Sequence, residues 1–142
     1  MFRNQHGSHL ERGAAAVEMA LVLPLLLLVL FGLVDFGRMY NAQMQLTQAA
    51  REAVRVKALG GTNLDAQARV AAATGGLDPV PSAAFIVVCG ASDITTNAKV
   101  TVSYNFKFIT PLGPIAKLIG GSSSSLGDAK TLSATGVMRC SG

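Results

Sequence analysis

One apolar run near the N-terminus constrains this 142-residue chain more than any other feature of its sequence. Residues 13–34 contain a single charged side chain, that of Glu18. A helix of this length extends about 33 Å at 1.5 Å per residue, which is enough to cross a hydrocarbon core of about 30 Å. We therefore expect the run to form a membrane-spanning helix.

A secretory signal peptide is the main alternative for this run. Its apolar region is usually about 7–15 residues long and ends in a small-x-small cleavage site. Residues 34–40, which follow the run, read Val-Asp-Phe-Gly-Arg-Met-Tyr and contain no such site. The sequence therefore favours a retained anchor over a cleaved signal.

The orientation of this anchor depends on the size of its flanks. Arg3 and Arg12 precede the run, and Arg38 and Arg51 follow it closely, so the positive-inside rule gives no preference. The short tail of residues 1–13 is simpler to leave in the cytoplasm than the long C-terminal region. We expect the C-terminal region outside, and the two cysteines agree with an oxidising compartment there.

Composition argues against several classes of function. The 12 Lys and Arg residues are spread along the chain with no basic cluster, which disfavours nucleic-acid binding. The only two histidines, His6 and His9, precede the apolar run, so the C-terminal region cannot build a histidine triad or a histidine zinc site. We expect no enzymatic activity, no cofactor and no metal.

Two stretches of the N-terminal region carry a family resemblance. Residues 12–24 read Arg-Gly-Ala-Ala-Ala-Val-Glu-Met-Ala-Leu-Val-Leu-Pro, and residues 31–38 read Phe-Gly-Leu-Val-Asp-Phe-Gly-Arg. They resemble the start of TadE-like proteins, the minor pseudopilins of the tight-adherence (Flp-type) pilus machinery. Met19 stands where the major pilins of this system commonly have Tyr, and the chain is far longer than they are. The resemblance is therefore to a minor component.

The resemblance implies a processing site and a pairing residue. In this family, as in type IV pilins generally, a prepilin peptidase cuts after a Gly, and the Glu at the fifth mature position pairs with the amino terminus of a neighbouring subunit. By position, cleavage falls between Gly13 and Ala14, and Glu18 is the pairing residue. The new amine is a cation, and Glu18 is an anion that is costly in a membrane until it is paired. Alternatively, Glu18 lies at the interface as a first-turn acid that the helix dipole favours.

Helical periodicity continues beyond the apolar run. Seven side chains recur at intervals of three and four residues: Phe36, Tyr40, Gln43, Thr47, Ala50, Val54 and Ala58. This spacing predicts an amphipathic continuation of the helix, and Gly60 with Gly61 is a typical helix end. We expect one helix from Ala14 to about Leu59, with its second half covering a small domain.

A second, short helix is expected after the two glycines. Thr62 or Asn63 can cap its N-terminus, and residues 75–76, both Gly, would end it. The apolar side chains spaced for one helical face are Leu64, Ala68 and either Ala71 or Ala72.

The remaining sequence has the period of β-strands. Residues 84–90, 99–110 and 130–139 are enriched in β-branched and aromatic residues, which predicts three antiparallel strands. In the second strand, five apolar side chains share one face: Val100, Val102, Tyr104, Phe106 and Phe108. Polar side chains alternate with them, as in a sheet with one solvated face. The predicted fold is α+β and pilin-like, with the helices covering the other face.

Two segments between the second and third strands lack this period. Residues 120–125, Gly-Gly-Ser-Ser-Ser-Ser, are expected to form a flexible connection, because no histidine is available to activate a serine nucleophile. Residues 111–119 are rich in apolar side chains, which favours cover for the sheet. The alternative is an exposed contact for a pilus partner or for the membrane surface.

The two cysteines follow predicted strands. Cys89 lies near the end of the first strand and Cys140 just after the last, so adjacent positions for these strands would bring the two thiols within bonding reach. We therefore predict a Cys89–Cys140 disulfide. The alternative, two buried free thiols, requires a reducing compartment.

These observations predict four segments. They are a cytoplasmic leader (1–13), a transmembrane helix (14–34), its extracytoplasmic continuation (35–60) and a small α+β extracytoplasmic domain (61–142). The expected function is that of a single-pass cytoplasmic-membrane pseudopilin in tight-adherence pilus or related secretion-filament assembly. Its implied partners are a prepilin peptidase, other pilins, pilus-assembly proteins and membrane lipid, and entry into a surface pilus stays open. The alternative function is an unprocessed membrane protein whose exported domain binds a ligand or partner.

Overall fold

The computed structural model describes residues 7–90, 95–110 and 129–141 of the chain. In these residues two helices precede three strands: α1 (Gly7–Ala58), α2 (Asn63–Ala73), β1 (Ser82–Val87), β2 (Asn97–Phe106) and β3 (Lys130–Arg139). The predicted α+β class and the three-stranded antiparallel sheet are confirmed. The segments expected as cover and as a flexible connection, residues 111–119 and 120–125, lie outside the described residues.

Two compact units divide the chain, Met1–Phe36 and Gly37–Gly142. The first unit, where it is described, consists of the N-terminal part of α1. None of the side chains of residues 13–34 is buried, although most of them are apolar. From Gly13 to Ala58, α1 is long and apolar enough to cross a membrane.

In the second unit, α1 contributes a stripe of small side chains to the core. Its buried apolar residues are Ala42, Leu46, Ala49, Ala50, Ala53, Val54 and Ala58. The stripe predicted from the sequence is therefore correct only at its C-terminal end. Tyr40 is 62% exposed and Thr47 is also exposed. The reason is that α1 packs against the sheet with its alanine-rich face, on which the helix and sheet backbones can approach closely.

The end of α1 has the predicted glycine signal. Gly60 adopts a positive φ of 78°, which a residue without a side chain tolerates best. Gly61 donates its backbone N–H to the Val56 carbonyl at 2.9 Å, and Lys57 Nζ donates to the Gly61 carbonyl at 2.8 Å. The first bond satisfies a carbonyl group that the end of a helix otherwise leaves unpaired, and the second satisfies the carbonyl of a residue beyond the helix.

Thr62 caps α2, as the sequence predicts. The Thr62 hydroxyl accepts from the Asp65 backbone N–H at 3.1 Å, and the Asp65 carboxylate accepts from the Thr62 backbone N–H at 3.2 Å. Side-chain and then backbone hydrogen bonds from Thr62 lower the pKa of Asp65. The predicted buried face is wrong: Leu64 is 82% exposed, whereas Ala66 and Val70 are buried. Because alanine occurs on several faces of this short helix, apolar spacing did not single out one of them.

The sheet has the strand order β1-β2-β3, with both pairs antiparallel. Val100 and Val102 of β2 are fully buried, and Lys99 on the opposite face is exposed, so the predicted alternation is confirmed there. The bounds of β3 agree with the prediction, whereas β1 and β2 each begin two residues earlier than expected. Strand β2 ends at Phe106, and Phe108 lies beyond it. The rings of Phe106 and Phe108 pack edge to face, with their centres 5.3 Å apart.

Candidate functional site

The predicted processing site lies on the exposed surface of α1. Gly13 and Ala14 are helical and exposed, and a Cβ added to Gly13 would meet no atom within 4 Å. Glycine in a helix costs about 1 kcal/mol relative to alanine, so Gly13 lowers the cost of opening the helix locally at the Gly13–Ala14 bond.

Glu18 lies one helical turn beyond Ala14. An amine at Ala14 would be a backbone nitrogen at the start of the helix, and Glu18 lies about one turn beyond it. Glu18 is exposed between Val17 and Leu21, which are 62% and 73% exposed. In hydrocarbon, a carboxylate in such apolar surroundings costs about 2.5–3.5 kcal/mol near the centre, which favours a cationic partner.

The structure joins Cys89 and Cys140 in a disulfide, with their Cα atoms 5.7 Å apart. Cys140 is 4% exposed and belongs to the core cluster, and its backbone N–H donates to the Thr96 carbonyl at 3.0 Å. The expectation that the first and last strands are adjacent is wrong, because β2 lies between them. The bridge therefore crosses the N-terminal end of β2, where the ends of all three strands meet.

Sequence reasoning missed a polar cleft in the second unit. This cavity of about 320 Å³ is lined in part by Arg38, Gln45 and Tyr104. The Arg38 guanidinium lies 5.3 Å from the centre of the Phe106 ring, and the Tyr104 hydroxyl donates to the Asp78 carbonyl at 3.1 Å. The sequence placed Tyr104 and Phe106 in the core, but no local pattern linked them to residues of α1.

The side chain of Gln45 in this cleft is only partly hydrogen-bonded. Its side-chain nitrogen donates to Asn41 Oδ1 at 2.9 Å, while its buried Oε1 has no hydrogen-bond partner among the described residues. Within those same residues, no three His, Cys, Asp or Glu side chains cluster to hold a metal ion.

Comparison with known proteins bears on the N-terminal segment. The family model for TadE-like proteins matches residues 13–55. Over this segment the chain is similar to TadE-like proteins. The match begins at Gly13 and extends over the apolar run, Glu18 and most of the helix that follows. No curated protein and no solved structure matches the chain.

The TadE-like match confirms, over this segment, the resemblance read from the sequence. The segment lies in α1, which is long and apolar enough to span a bilayer. The matched segment ends before α2 and the sheet, so this similarity rests on the helix alone.

Proposed function

We propose that this TadE-like protein is a structural minor pseudopilin. A prepilin peptidase removes the segment before Ala14, and the mature protein takes part in the assembly of a tight-adherence pilus or a related secretion filament. The supporting observation is the TadE-like match, which begins at Gly13 and includes the Gly-x-x-x-x-Glu opening of an unburied apolar helix. The role is structural rather than catalytic.

In this proposal, α1 anchors the protein in the cytoplasmic membrane as a single span. The N-terminus lies in the cytoplasm, and the Gly37–Gly142 unit lies outside, where an oxidising environment maintains the Cys89–Cys140 disulfide. The partners within the membrane are the prepilin peptidase and the apolar helices of other pilins.

Hydrolysis of the Gly13–Ala14 bond changes the electrostatics of the helix start. The reaction leaves a carboxylate on Gly13 and an α-amine on Ala14, which is protonated at neutral pH. In a membrane, the Glu18 carboxylate gains a partner when the amine of a neighbouring subunit reaches it. Cleavage therefore creates the charge that makes association of subunits favourable.

Blocking cleavage is the direct test of this proposal. We expect co-expression with an active prepilin peptidase to reduce the intact mass by the mass of Met1 to Gly13. Gly13→Leu should prevent the reduction, because a bulky side chain would occupy the position next to the scissile bond and strengthen the helix around it. Intact-mass spectrometry of the membrane-extracted protein measures both outcomes.

Gly32→Leu is the matched control, since it adds the same side chain to the same helix at another glycine with open space around it. This variant should be processed like the wild type. An unchanged mass of the wild-type protein beside an active peptidase would refute processing and leave an unprocessed single-pass membrane protein.

Glu18→Ala should separate membrane insertion from assembly. Insertion should be retained or improved, because the substitution removes a carboxylate whose burial in hydrocarbon costs about 2.5–3.5 kcal/mol. Association with pilus components should be lost, because the neighbouring amine would then have no carboxylate. Alkaline extraction of membranes measures insertion, and co-purification of pilus components with surface piliation measures assembly.

Glu52→Ala provides the comparison, because Glu52 is also an exposed glutamate of α1 but lies outside the apolar run. It should leave both insertion and assembly intact. Normal co-purification and piliation in the Glu18→Ala variant would show that Glu18 merely lies at the membrane interface.

A further inference from the structure

The solvent-facing side of the sheet carries mainly small hydroxyl side chains. Two neighbouring cross-strand rows on this side are Ser82–Ser103–Ser133 and Ala84–Thr101–Thr135. Within each row two hydroxyl oxygens bond to each other, at 3.0 Å in the first row and at 2.9 Å in the second. These rows have the polar composition that is common on the solvated side of an antiparallel sheet.

The next row on this side, at the disulfide end of the sheet, is different. It consists of Val87, Lys99 and Val137. Val137 is 60% exposed, and Ile86 and Val88, on either side of Val87 in the chain, are 58% and 49% exposed. We call these five residues the Lys99 patch. An exposed apolar cluster bordered by polar residues is typical of an interaction surface.

The fold fixes the two sides of the Lys99 patch relative to each other. Val87 precedes Cys89 by two residues, and Val137 precedes Cys140 by three, so the Cys89–Cys140 disulfide joins the two outer strands beside the patch. A surface that is ordered before binding loses little conformational freedom when a partner binds, which favours affinity.

Lys99 gives the patch its charge. Its side chain is exposed between the two valines of its row, and among the residues that the structure describes it has no ion-pair partner. The three strands contain no acidic residue. Arg139, the next residue of β3 on this side of the sheet, already has an interaction of its own and is not part of the patch. A partner that covers the valines would exclude water around Lys99, which strengthens an ion pair.

We propose that the Lys99 patch binds an acidic surface of a different protein, on which apolar side chains surround a carboxylate. The carboxylate pairs with Lys99, and the apolar side chains cover the valines and Ile86. The charge of the Gly37–Gly142 unit supports this partner, because the unit contains ten Lys and Arg against five Asp and Glu, a net charge of +5. Charge complementarity speeds association and selects the partner. The inference goes beyond the proposed function, because the patch is present whether or not the N-terminal segment is removed.

A second copy of this chain does not meet these requirements. A two-fold interface uses the same patch on both subunits, so two Lys99 ammonium groups would share one small apolar area. Any other face of a second copy belongs to a unit that is itself basic. A lipid surface also fits less well, because membrane-inserting faces are rich in Trp, Phe and Leu, whereas the apolar side chains of the patch are short and β-branched.

Site-specific photo-crosslinking in the cells that make the protein tests this proposal. An apolar photoreactive amino acid replaces Val137 in the patch or, as the matched control, Thr131. Both residues lie on β3 and on the same side of the sheet, six positions and about 20 Å apart. We expect a strong protein adduct at Val137 and background labelling at Thr131.

The adduct supports the proposal only if it depends on Lys99. Lys99→Glu should reduce the yield about fivefold, because a like charge then faces the carboxylate of the partner. Lys107→Glu is the charge control, since Lys107 is exposed and lies just outside β2, and it should leave the yield unchanged. Mass spectrometry of the adduct identifies the acidic residue of the partner nearest the crosslink. Replacing that residue by lysine should restore the adduct of the Lys99→Glu variant.

Five results would each overturn the proposal. They are an absent adduct at Val137, equal labelling at Thr131, an adduct to a second copy or to lipid, an unchanged yield with Lys99→Glu, and no rescue by the exchange of charges. Formation of the Cys89–Cys140 disulfide on non-reducing gels verifies that each variant is folded. The intact mass of the uncrosslinked protein in the same sample reports removal of the N-terminal segment, so failure of partner binding is distinguished from failure of processing.

Discussion

Replacing both Cys89 and Cys140 by serine should lower the free energy of unfolding of the Gly37–Gly142 unit by about 4 kcal/mol. The bond closes a loop between residues 51 positions apart, and a loop of that length strongly restricts the unfolded chain. Small domains have a total stability of about 5–15 kcal/mol, so this loss is a large fraction of the whole.

Urea unfolding of the full chain in mild detergent, followed by pulse proteolysis, measures this effect. Wild-type protein treated with reductant is the control, since it loses the same bond without a substitution. The serine variant and the reduced wild type should unfold at similar urea concentrations, both well below that of the oxidised protein. An unchanged midpoint in the serine variant would contradict a stabilising role for the bond.

Alkylation of the cysteines before cell lysis tests whether the Gly37–Gly142 unit lies in an oxidising compartment. In an extracytoplasmic unit, Cys89 and Cys140 should resist alkylation under denaturing conditions until a reductant is added. Immediate labelling of both thiols without reductant would indicate a reducing compartment and the opposite orientation.

The sheet could be predicted from the sequence because its signals are local. Alternation of polar and apolar residues places Val100 and Val102 in the core, and β3 has the predicted bounds. The strand order could not be predicted from such local signals. The disulfide prediction took the first and last strands as adjacent, but a disulfide requires only a short distance between two residues, and here it crosses the end of β2.

The buried face of α1 could be predicted only in part, because two overlapping stripes have helical spacing. The stripe through Tyr40 and Thr47 has larger side chains, whereas the stripe through Ala42 and Ala49 is buried. Gly136, far away in the sequence, allows the sheet to approach the helix backbone at Ala50, a residue that both stripes share. No local pattern contains that information.

The candidate sites differ in the same way. Gly13 and Glu18 could be proposed as a site from the sequence because their motif lies within six residues of one helix. The polar cleft at Gln45 could not be proposed in this way, because it joins residues of α1 to residues of β2.

Gly136→Ala should destabilise the Gly37–Gly142 unit by about 1–3 kcal/mol, as overpacking of a core typically does. A Cβ at this position would collide with the Ala50 carbonyl oxygen and lie 2.9 Å from the carbonyl carbon and 3.0 Å from Val54 Cγ1. The main obstacle is the backbone of α1, which cannot adopt another rotamer, so helix and sheet must move apart. Urea unfolding followed by pulse proteolysis, as for the cysteine variant, measures the loss of stability in Gly136→Ala.

The expected loss of stability in Gly136→Ala is opposite to the usual effect of replacing glycine by alanine. Replacing glycine by alanine where space permits usually stabilises a protein by about 0.4–1 kcal/mol, because the unfolded chain loses freedom. Gly37→Ala in α1 is the matched control, since a Cβ there would meet no atom within 4 Å, and it should raise the urea midpoint. Val54→Ala should not rescue Gly136→Ala, because the Ala50 carbonyl would still block the methyl group. A Gly136→Ala variant as stable as Gly37→Ala would show that helix and sheet are not in close backbone contact at this point.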